Sequence, residues 1–410
     1  MSRTRPGRHP LPRTVRVLVA ARAVNRLGAF TLPFLTVTLV EEMGASVPHA
    51  GWVLAGFGLA TIPSRLVGGR LSDRLGARAT ITLGLVGTAA AQLGVAASRS
   101  LGQAVVAAVV LGLVFEVYEP ASQSLVADVT PPEQRPAAYG LLAAAMAVAG
   151  MGAGLLAAML ASIDLRWLFV VDAVTCVACA AVVLALLPGR DGGGEPGVAA
   201  PGASSPTPSA PRHGAPSPWR DTRLLAMLGV GTAFAVTYLQ ITIALPLTLS
   251  ARGLAPSTLG LLLTVSAATL TAGQPLLRRT APGGDDFAVM TVGYVVLAAG
   301  LLANGFATST WTFVVATVVW SVGDLLLLGH AHSLVAALAP DGSRGRYLAV
   351  HGLSWGLAAV VAPLLGTQLL ERTGPTTTWA AVAAGACALA AAQPWLRVRF
   401  RAAEAAAADG

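Results

Sequence analysis

A chain of 410 residues that is 55% hydrophobic and only 11% charged carries less than half the charge of an ordinary soluble domain, about 25%. Its polar surface cannot coat a globule, and the mean hydropathy of +0.69 sends most apolar side chains to a bilayer. Three cysteines, Cys176, Cys179 and Cys387, supply no disulfide framework, and the 27 basic residues behind the net charge of +8 are all arginines, a matter of composition that implies no nucleic-acid partner.

A membrane-crossing helix needs about 20 mostly apolar residues. Twelve stretches of this kind follow one another, at 17–40, 50–70, 78–98, 103–127, 137–161, 167–188, 224–249, 256–277, 287–306, 311–336, 347–370 and 376–396. The first follows a basic N-terminus, but it contains Arg22 and Arg26 and exceeds a signal core in length, so it is expected to stay as span 1. Between the sixth and seventh stretches, 189–218 carries Gly-Gly-Gly and repeated Pro, Ser and Ala, the composition of a flexible linker. The expected organisation is 1–188 as one six-helix bundle, 189–222 as linker, 223–396 as a second bundle and 397–410 as a tail. With the N-terminus inside, twenty arginines fall in cytoplasmic segments and only Arg99, Arg166, Arg252 and Arg372 fall outside. Basic loops stay cytoplasmic, so both termini and the linker are expected in the cytoplasm of a cell whose plasma membrane holds the chain.

Ionisable groups inside a bilayer are costly and default to functional candidates. Span 1 carries Arg22, Asn25 and Arg26, and Arg26, nearest mid-depth, is expected to pair with Glu116 or Glu119 of span 4. Arg65 of span 2 is expected to snorkel to the interface. In span 4 Glu116 lies near the middle, with Tyr118 beside it and Glu119 on its face by the i, i+3 spacing, and Pro120 interrupts the backbone bonding there. Gly150, Gly152 and Gly154 of span 5 allow close helix packing. In span 6, Asp172 is read as a capping or packing group, and Cys176 and Cys179 as small apolar packing. Farther along, Asp324 of span 10 matches the depth of Glu116, and with it stand Arg26 and Asn25 as candidates for proton coupling or the central cavity. Tyr118, Tyr238, Gln240, Trp320, His351 and Trp355 are candidates for the cavity lining. His330 and His332, spaced i, i+2, cannot share a helical face, so no metal site and no cofactor is expected. Without lysine there is no phosphate-binding G-x-x-x-x-G-K-[ST] loop, which disfavours ATP-driven transport by this chain alone.

Two further patterns concern the whole chain. Residues 124–135 and 333–344 match at six of twelve positions with a constant offset of 209, as a duplicated six-helix unit requires. Two parallel halves of this kind, with a pathway between them, form one of the recurrent transporter architectures. The loop after span 2 reads Gly69-Arg70-Leu71-Ser72-Asp73-Arg74-Leu75-Gly76-Ala77-Arg78. In it Gly69 would admit a neighbouring helix, Gly76 a tight reversal, and Asp73 a hydrogen bond or an arginine.

This loop resembles the G-x-L-x-D-R-x-G-R-[KR] signature of the major facilitator superfamily, with Gly69, Leu71, Asp73, Arg74, Gly76 and Arg78 matching and Ala77 departing. The resemblance implies an all-α integral membrane fold of twelve transmembrane helices in two pseudo-twofold-related bundles. It also implies a cytoplasmic latch of Gly69, Asp73, Arg74, Gly76, Arg78, Asp128 and Arg135 that closes in the outward-facing state. The nearest flavour is the twelve-span drug:proton antiporters, because Asp164 to Phe169 and Asp172 resemble their span 6 entrance. Where those antiporters carry G-x-x-x-G-P in span 5, this chain has Leu155 after Gly154. The expectation is a secondary active transporter, not an enzyme, exporting a small amphipathic organic compound in exchange for protons and working as a monomer. A metabolite or sugar importer or uniporter of the same fold is the alternative. A membrane-embedded enzyme or lipid-handling scaffold using Glu116, Glu119 and His351 is the remote one.

Overall fold

The computed structural model describes residues 12–29, 31–131, 134–187, 218–280, 285–327, 334, 335, 338 and 344–408. The expected linker at 189–217, His330, His332 and much of the second repeat segment lie outside the described residues, as do the side chains of Asp128, Arg135, Arg278 and Arg279. Every described element is a helix. They are α1 (Arg13–Leu27), α2 (Thr31–Val37), α3 (Val47–Leu75), α4 (Ala77–Ala97), α5 (Leu101–Phe115), α6 (Tyr118–Val129), α7 (Arg135–Ala161), α8 (Arg166–Leu186), α9 (Thr222–Ala251), α10 (Ser257–Thr280), α11 (Asp286–Phe306), α12 (Thr310–Leu327) and α13 (Arg344–Ala408). A π-helical turn, Thr38–Glu42, extends α2.

The predicted stretches lie on described helices except where 30, 188, 328–333 and 336 fall outside the described residues, and among the described residues ten segments are long and apolar enough to cross a membrane. One of them, Val350–Phe400, is 51 residues long and contains Gly374 at φ 75° and ψ 174°. There the chain turns back, so that Leu396 and Phe400 pack with Tyr347 and Val350. Gly76 (φ 83°, ψ 162°) makes the corresponding one-residue reversal between α3 and α4. Both glycines occupy a backbone region that side chains other than glycine essentially never enter.

Two spans expected to be continuous are broken. Span 1 divides after α1 at Gly28, which lies against α8, where a Cβ would stand 2.9 Å from the Asp172 Cα. Span 4 divides between α5 and α6. Pro120 has no N–H for the Glu116 carbonyl, which instead receives Glu119 N–H at 3.3 Å. On the other side of the break the Glu116 N–H donates to the Ser64 hydroxyl of α3 at 3.0 Å. The neighbouring Val117 carbonyl lies against Gly68, where a Cβ would come within 2.2 Å of it. The close approach expected at Gly69 belongs to Gly68 instead, since a Cβ on Gly69 would meet nothing within 4 Å. One register step on the helix turns the side chain by about 100°, which separates the two glycines.

The connections at Gly44, 98–100, 162–165, 252–256, 307–309 and Gly374 lie at one end of the bundle, and Gly76 lies at the other. Near the Gly44 end, three contacts join elements before the linker to elements after it. α7 packs on α10 through Gly154 and Gly260, and Thr264 donates to the Met151 carbonyl at 3.3 Å. α3 packs on α13 at Gly51 and Gly58, and Ser250 of α9 donates to Glu41 of the π turn. Toward the Gly76 end the same elements separate, leaving Leu66 63% and Leu353 45% exposed.

Candidate functional site

The separation leaves a cavity of about 670 Å³ between α3, α5, α9 and α13. Three aromatic rings form its walls: Phe57 and Phe115, edge to face at 5.4 Å, and Trp355, 41% exposed. Gly352 and Gly356 line the opposing wall, where a Cβ on either would meet nothing within 4 Å. The chemistry is amphipathic. Apolar walls bury the body of a small molecule, and one ion pair in the wall supplies the polar contact.

That pair is Glu116 with Arg65, at 3.2 Å, with side-chain exposures of 25% and 58%. Glu116 reaches the cavity because it stands at the C-terminal cap of α5, held by Ser64. Arg65 does not run to the interface as expected; it turns inward to Glu116 and lines the cavity. The second acid, Glu119, is turned away by the break and pairs with Arg22 at 2.7 Å, with exposures of 25% and 10%. Arg22 is clamped on other sides too, over the Tyr118 ring at 4.8 Å from its centroid and against the Ser122 hydroxyl at 3.4 Å.

Arg26 therefore pairs with neither Glu116 nor Glu119. Its side chain is exposed, lies beside α7 at Gly150, where a Cβ would stand 3.9 Å from its Nε, and is within electrostatic range of Tyr238 on α9. Tyr238 hydrogen-bonds Asp324 of α12, which is 7% exposed. This second polar centre sits behind an aromatic cluster in which Tyr238 lies 5.8 Å from Trp355, and Phe234 lies 6.3 Å from Trp355 and 5.9 Å from Tyr294. The structure thus brings Arg26, Tyr238, Asp324 and Trp355 to one region across the two sets of helices, with Glu116 and Arg65 on the neighbouring wall.

Other candidates stand elsewhere. Asn25 is buried and donates to Cys176 Sγ at 3.1 Å, inside the packing of α1 on α8. Cys176 and Cys179 belong to that apolar core, and Asp172 accepts from Gln92 at 2.6 Å within it. Tyr118 packs in the same core. Trp320, 2% exposed, fills the contact of α12 with Gly300 of α11, and His351 packs on Gly231 of α9. Gln240 donates to the Val236 and Ala362 carbonyls at 3.2 and 3.0 Å, on a face of α9 remote from the cavity. Of the latch residues, Asp73 and Arg74 are exposed, and Arg78 donates to the Leu184 carbonyl at the end of α8. Sequence reading passed over Arg22 and Arg65 as partners, and Phe57, Phe115 and Gly356 as walls. The Gly352-x-x-x-Gly356 spacing was the one available signal for the last.

The sequence model of the Major Facilitator Superfamily matches residues 18–282 and 225–408. The chain belongs to the Major Facilitator Superfamily. It is a multi-pass membrane transporter and not an enzyme. Among its relatives, an uncharacterized MFS-type transporter, YhjO of Bacillus subtilis (strain 168), is 26% identical over 360 residues, 87% of this chain and 86% of that protein. Multidrug resistance protein MdtH of Aeromonas salmonicida (strain A449) is 23% identical over 356 residues, 84% of each. Among solved structures, the peptide transporter POT in complex with sulfate superposes with a TM-score of 0.77 at 14% identity, covering 96% of both chains. That likeness establishes the fold: an all-α membrane bundle of the facilitator type.

Proposed function

We propose that this chain exports a small amphipathic organic compound from the cytoplasm across the plasma membrane in exchange for protons. The observation that carries the reading is the cavity with Glu116 and Arg65 in its wall, open toward the Gly76 end and sealed near the Gly44 end. The arginine excess of the segments at the Gly76 end makes that end cytoplasmic, so this is the inward-facing form, with both termini in the cytoplasm. Residues 1–188 and 223–396 act as two halves that rock about the cavity, joined by a linker at 189–222, and one chain suffices for the cycle.

In this mechanism Glu116 carries the coupled proton. An ion pair as exposed as Glu116 with Arg65 contributes little, about 0–1 kcal/mol, so a proton or a substrate group displaces it readily. Alternating exposure then lets the carboxyl load on one side and release on the other. Asp324, hydrogen-bonded by Tyr238, and the free charge of Arg26 supply the second polar contact for the cargo. The aromatic walls, and the name multidrug resistance protein borne by the relative MdtH, support an apolar organic cargo.

The test is transport in proteoliposomes of defined orientation, using fluorescent lipophilic compounds with and without an imposed pH gradient. Gradient-driven movement lost in Glu116→Gln is expected, with compound exchange in the absence of a gradient retained. Movement indifferent to the gradient in the wild type refutes proton exchange. Coupling that survives in Glu116→Gln and vanishes in Asp324→Asn moves the proton to α12.

A further inference from the structure

Arg26 and Asp324 come from opposite sides of the linker, and a chain of contacts brings both to the inner edge of the seal near the Gly44 end. Arg26 of α1 lies beside Gly150 of α7. The next residue of α7, Met151, accepts from Thr264 of α10 at 3.3 Å. Two residues farther along α10, Ser266 accepts from Ser321 of α12 at 3.0 Å. Asp324 follows Ser321 by one helical turn. Tyr238 of α9 closes the circuit, with its hydroxyl donating to Asp324 and with Arg26 in electrostatic range.

The charges here are not balanced as those of the neighbouring wall are. Glu116 and Arg65 neutralise each other, so that pair sets no net charge for a cargo. Among the described residues neither Arg26 nor Asp324 has an ion-pair partner. Asp324 accepts from the Tyr238 hydroxyl alone, although a carboxylate offers about four acceptor positions. A carboxylate so far withdrawn from water calls for a cation. It is also within reach of one. Thr317 Oγ1 and Trp320 Nε1 of the same helix are sealed without a partner, whereas neither oxygen of Asp324 is. Arg26 is exposed and Tyr238 is half-buried. The Tyr238 ring lies 5.8 Å from that of Trp355, which lines the transport cavity, and aromatic rings beside an acid favour an organic cation.

We propose that the cargo is a zwitterion, an amphipathic compound whose ammonium group binds Asp324, whose carboxylate binds Arg26 and whose apolar body lies along the aromatic walls. The inference rests on the transport reading and adds to it the charge of what is carried. An organic cation would satisfy Asp324 and meet the uncompensated charge of Arg26. An organic acid would satisfy Arg26 and leave Asp324 bare. A compound with both signs answers both, and it joins α1 to α12 across the cleft, so its binding acts on the two halves that rock.

The experiment uses the full chain and three fluorescent probes that share one dansyl group and one alkyl chain. Nε-dansyl-lysine carries both charges, dansylcadaverine is the same molecule without its carboxylate, and dansyl aminocaproate is the same molecule without its ammonium. Saturable binding in nanodiscs of neutral phospholipid is expected to be about tenfold tighter for dansyl-lysine than for either other probe, as one further charged hydrogen bond provides. Asp324→Asn should bring dansyl-lysine to the affinity of dansyl aminocaproate and bind the latter no more weakly than wild type does. Arg26→Gln should bring dansyl-lysine to the affinity of dansylcadaverine and bind the latter no more weakly. A loss of folding would not sort the probes in opposite directions. Equal affinity for the three probes, no saturable binding of any, or a variant that weakens all three alike would each overturn the assignment. Gradient-driven transport of dansylcadaverine without a preference for dansyl-lysine would do so while leaving proton-coupled export intact. Failure of the transport reading looks different: dansyl-lysine is preferred, but its movement in proteoliposomes ignores the pH gradient.

Discussion

The seal near the Gly44 end predicts that one added side chain will redistribute the two conformations. In Gly154→Val the first added carbon, at the Cβ position, would stand 2.2 Å from Thr264 Oγ1, 2.6 Å from Thr264 N and 2.7 Å from the Gly260 carbonyl. Two of these are backbone atoms, which no rotamer change can move aside. Overpacking of this kind costs about 1–3 kcal/mol. The cost falls only on the form in which α7 and α10 touch, because an opened Gly44 end separates them. The equilibrium should therefore shift toward that opened form by about 5- to 150-fold. Thr367 reports the shift, since it is fully buried against Gly51 of α3 in the sealed form. With Cys387 replaced by alanine, and with Cys176 and Cys179 buried, a Thr367→Cys protein offers one site to a membrane-impermeant maleimide added from the Gly44 side. Its labelling rate should rise by the same factor when Gly154→Val is introduced. An unchanged rate in a folded, monodisperse protein would refute the rocking of these helices about that contact.

Three further outcomes follow from other contacts. Glu119→Gln leaves Arg22 nearly buried without its carboxylate and should cost about 3 kcal/mol, the low end for a broken buried pair, because Tyr118 and Ser122 still hold the guanidinium; thermal unfolding in detergent measures it, and Arg22→Met with Glu119→Leu should recover most of the loss. Gly76→Ala and Gly374→Ala should each lose about 1–3 kcal/mol from the imposed backbone strain, whereas Gly229→Ala, whose Cβ meets nothing within 4 Å, should leave the unfolding midpoint within a degree or two of wild type. Gly356→Leu projects into the cavity from an open position and should stop transport in proteoliposomes without lowering the unfolding midpoint; retained transport would place the pathway elsewhere.

The apolar stretches were legible because lipid demands one property over the full length of a helix, and that property survives any rotation of the helix about its axis. Pairing partners were not legible for the opposite reason. Arg22 and Arg26 are one turn apart, and depth alone favours Arg26 as the partner of an acid in span 4. The choice between them depends on how the break at Glu116 and Val117 turns α6 relative to α5. Pro120 announced an interruption, but its shape also depends on α3, where Ser64 accepts from the Glu116 N–H and Gly68 makes room for the Val117 carbonyl. Those residues lie some fifty positions away, and no local pattern ties them to Glu116. Gly69 and Gly68 show the same limit, since the loop signature includes the first and packing uses the second.

That break also sorts two acids, three residues apart, into different kinds of work. Glu119 enters a cluster where Arg22 is held by a ring, a hydroxyl and a carboxylate at 2.7 Å; removing any one member leaves a charge nearly out of reach of water, so the cluster resists change. Glu116 meets an arginine that is 58% exposed, in a cavity that water and cargo enter, where the pair is worth little and exchanges easily. Had span 4 run on as one unbroken helix, the i, i+3 spacing would have set both carboxyls on one face, facing the same surroundings. A mutation that restores helical bonding across the break, Pro120→Ala, should therefore rotate Glu119 toward the cavity and loosen Arg22. The expected signature is a lower unfolding midpoint together with altered proton coupling, although residue 120 itself carries no charge. A Pro120→Ala protein with wild-type coupling and stability would show that Ser64 and Gly68 hold the break without the proline.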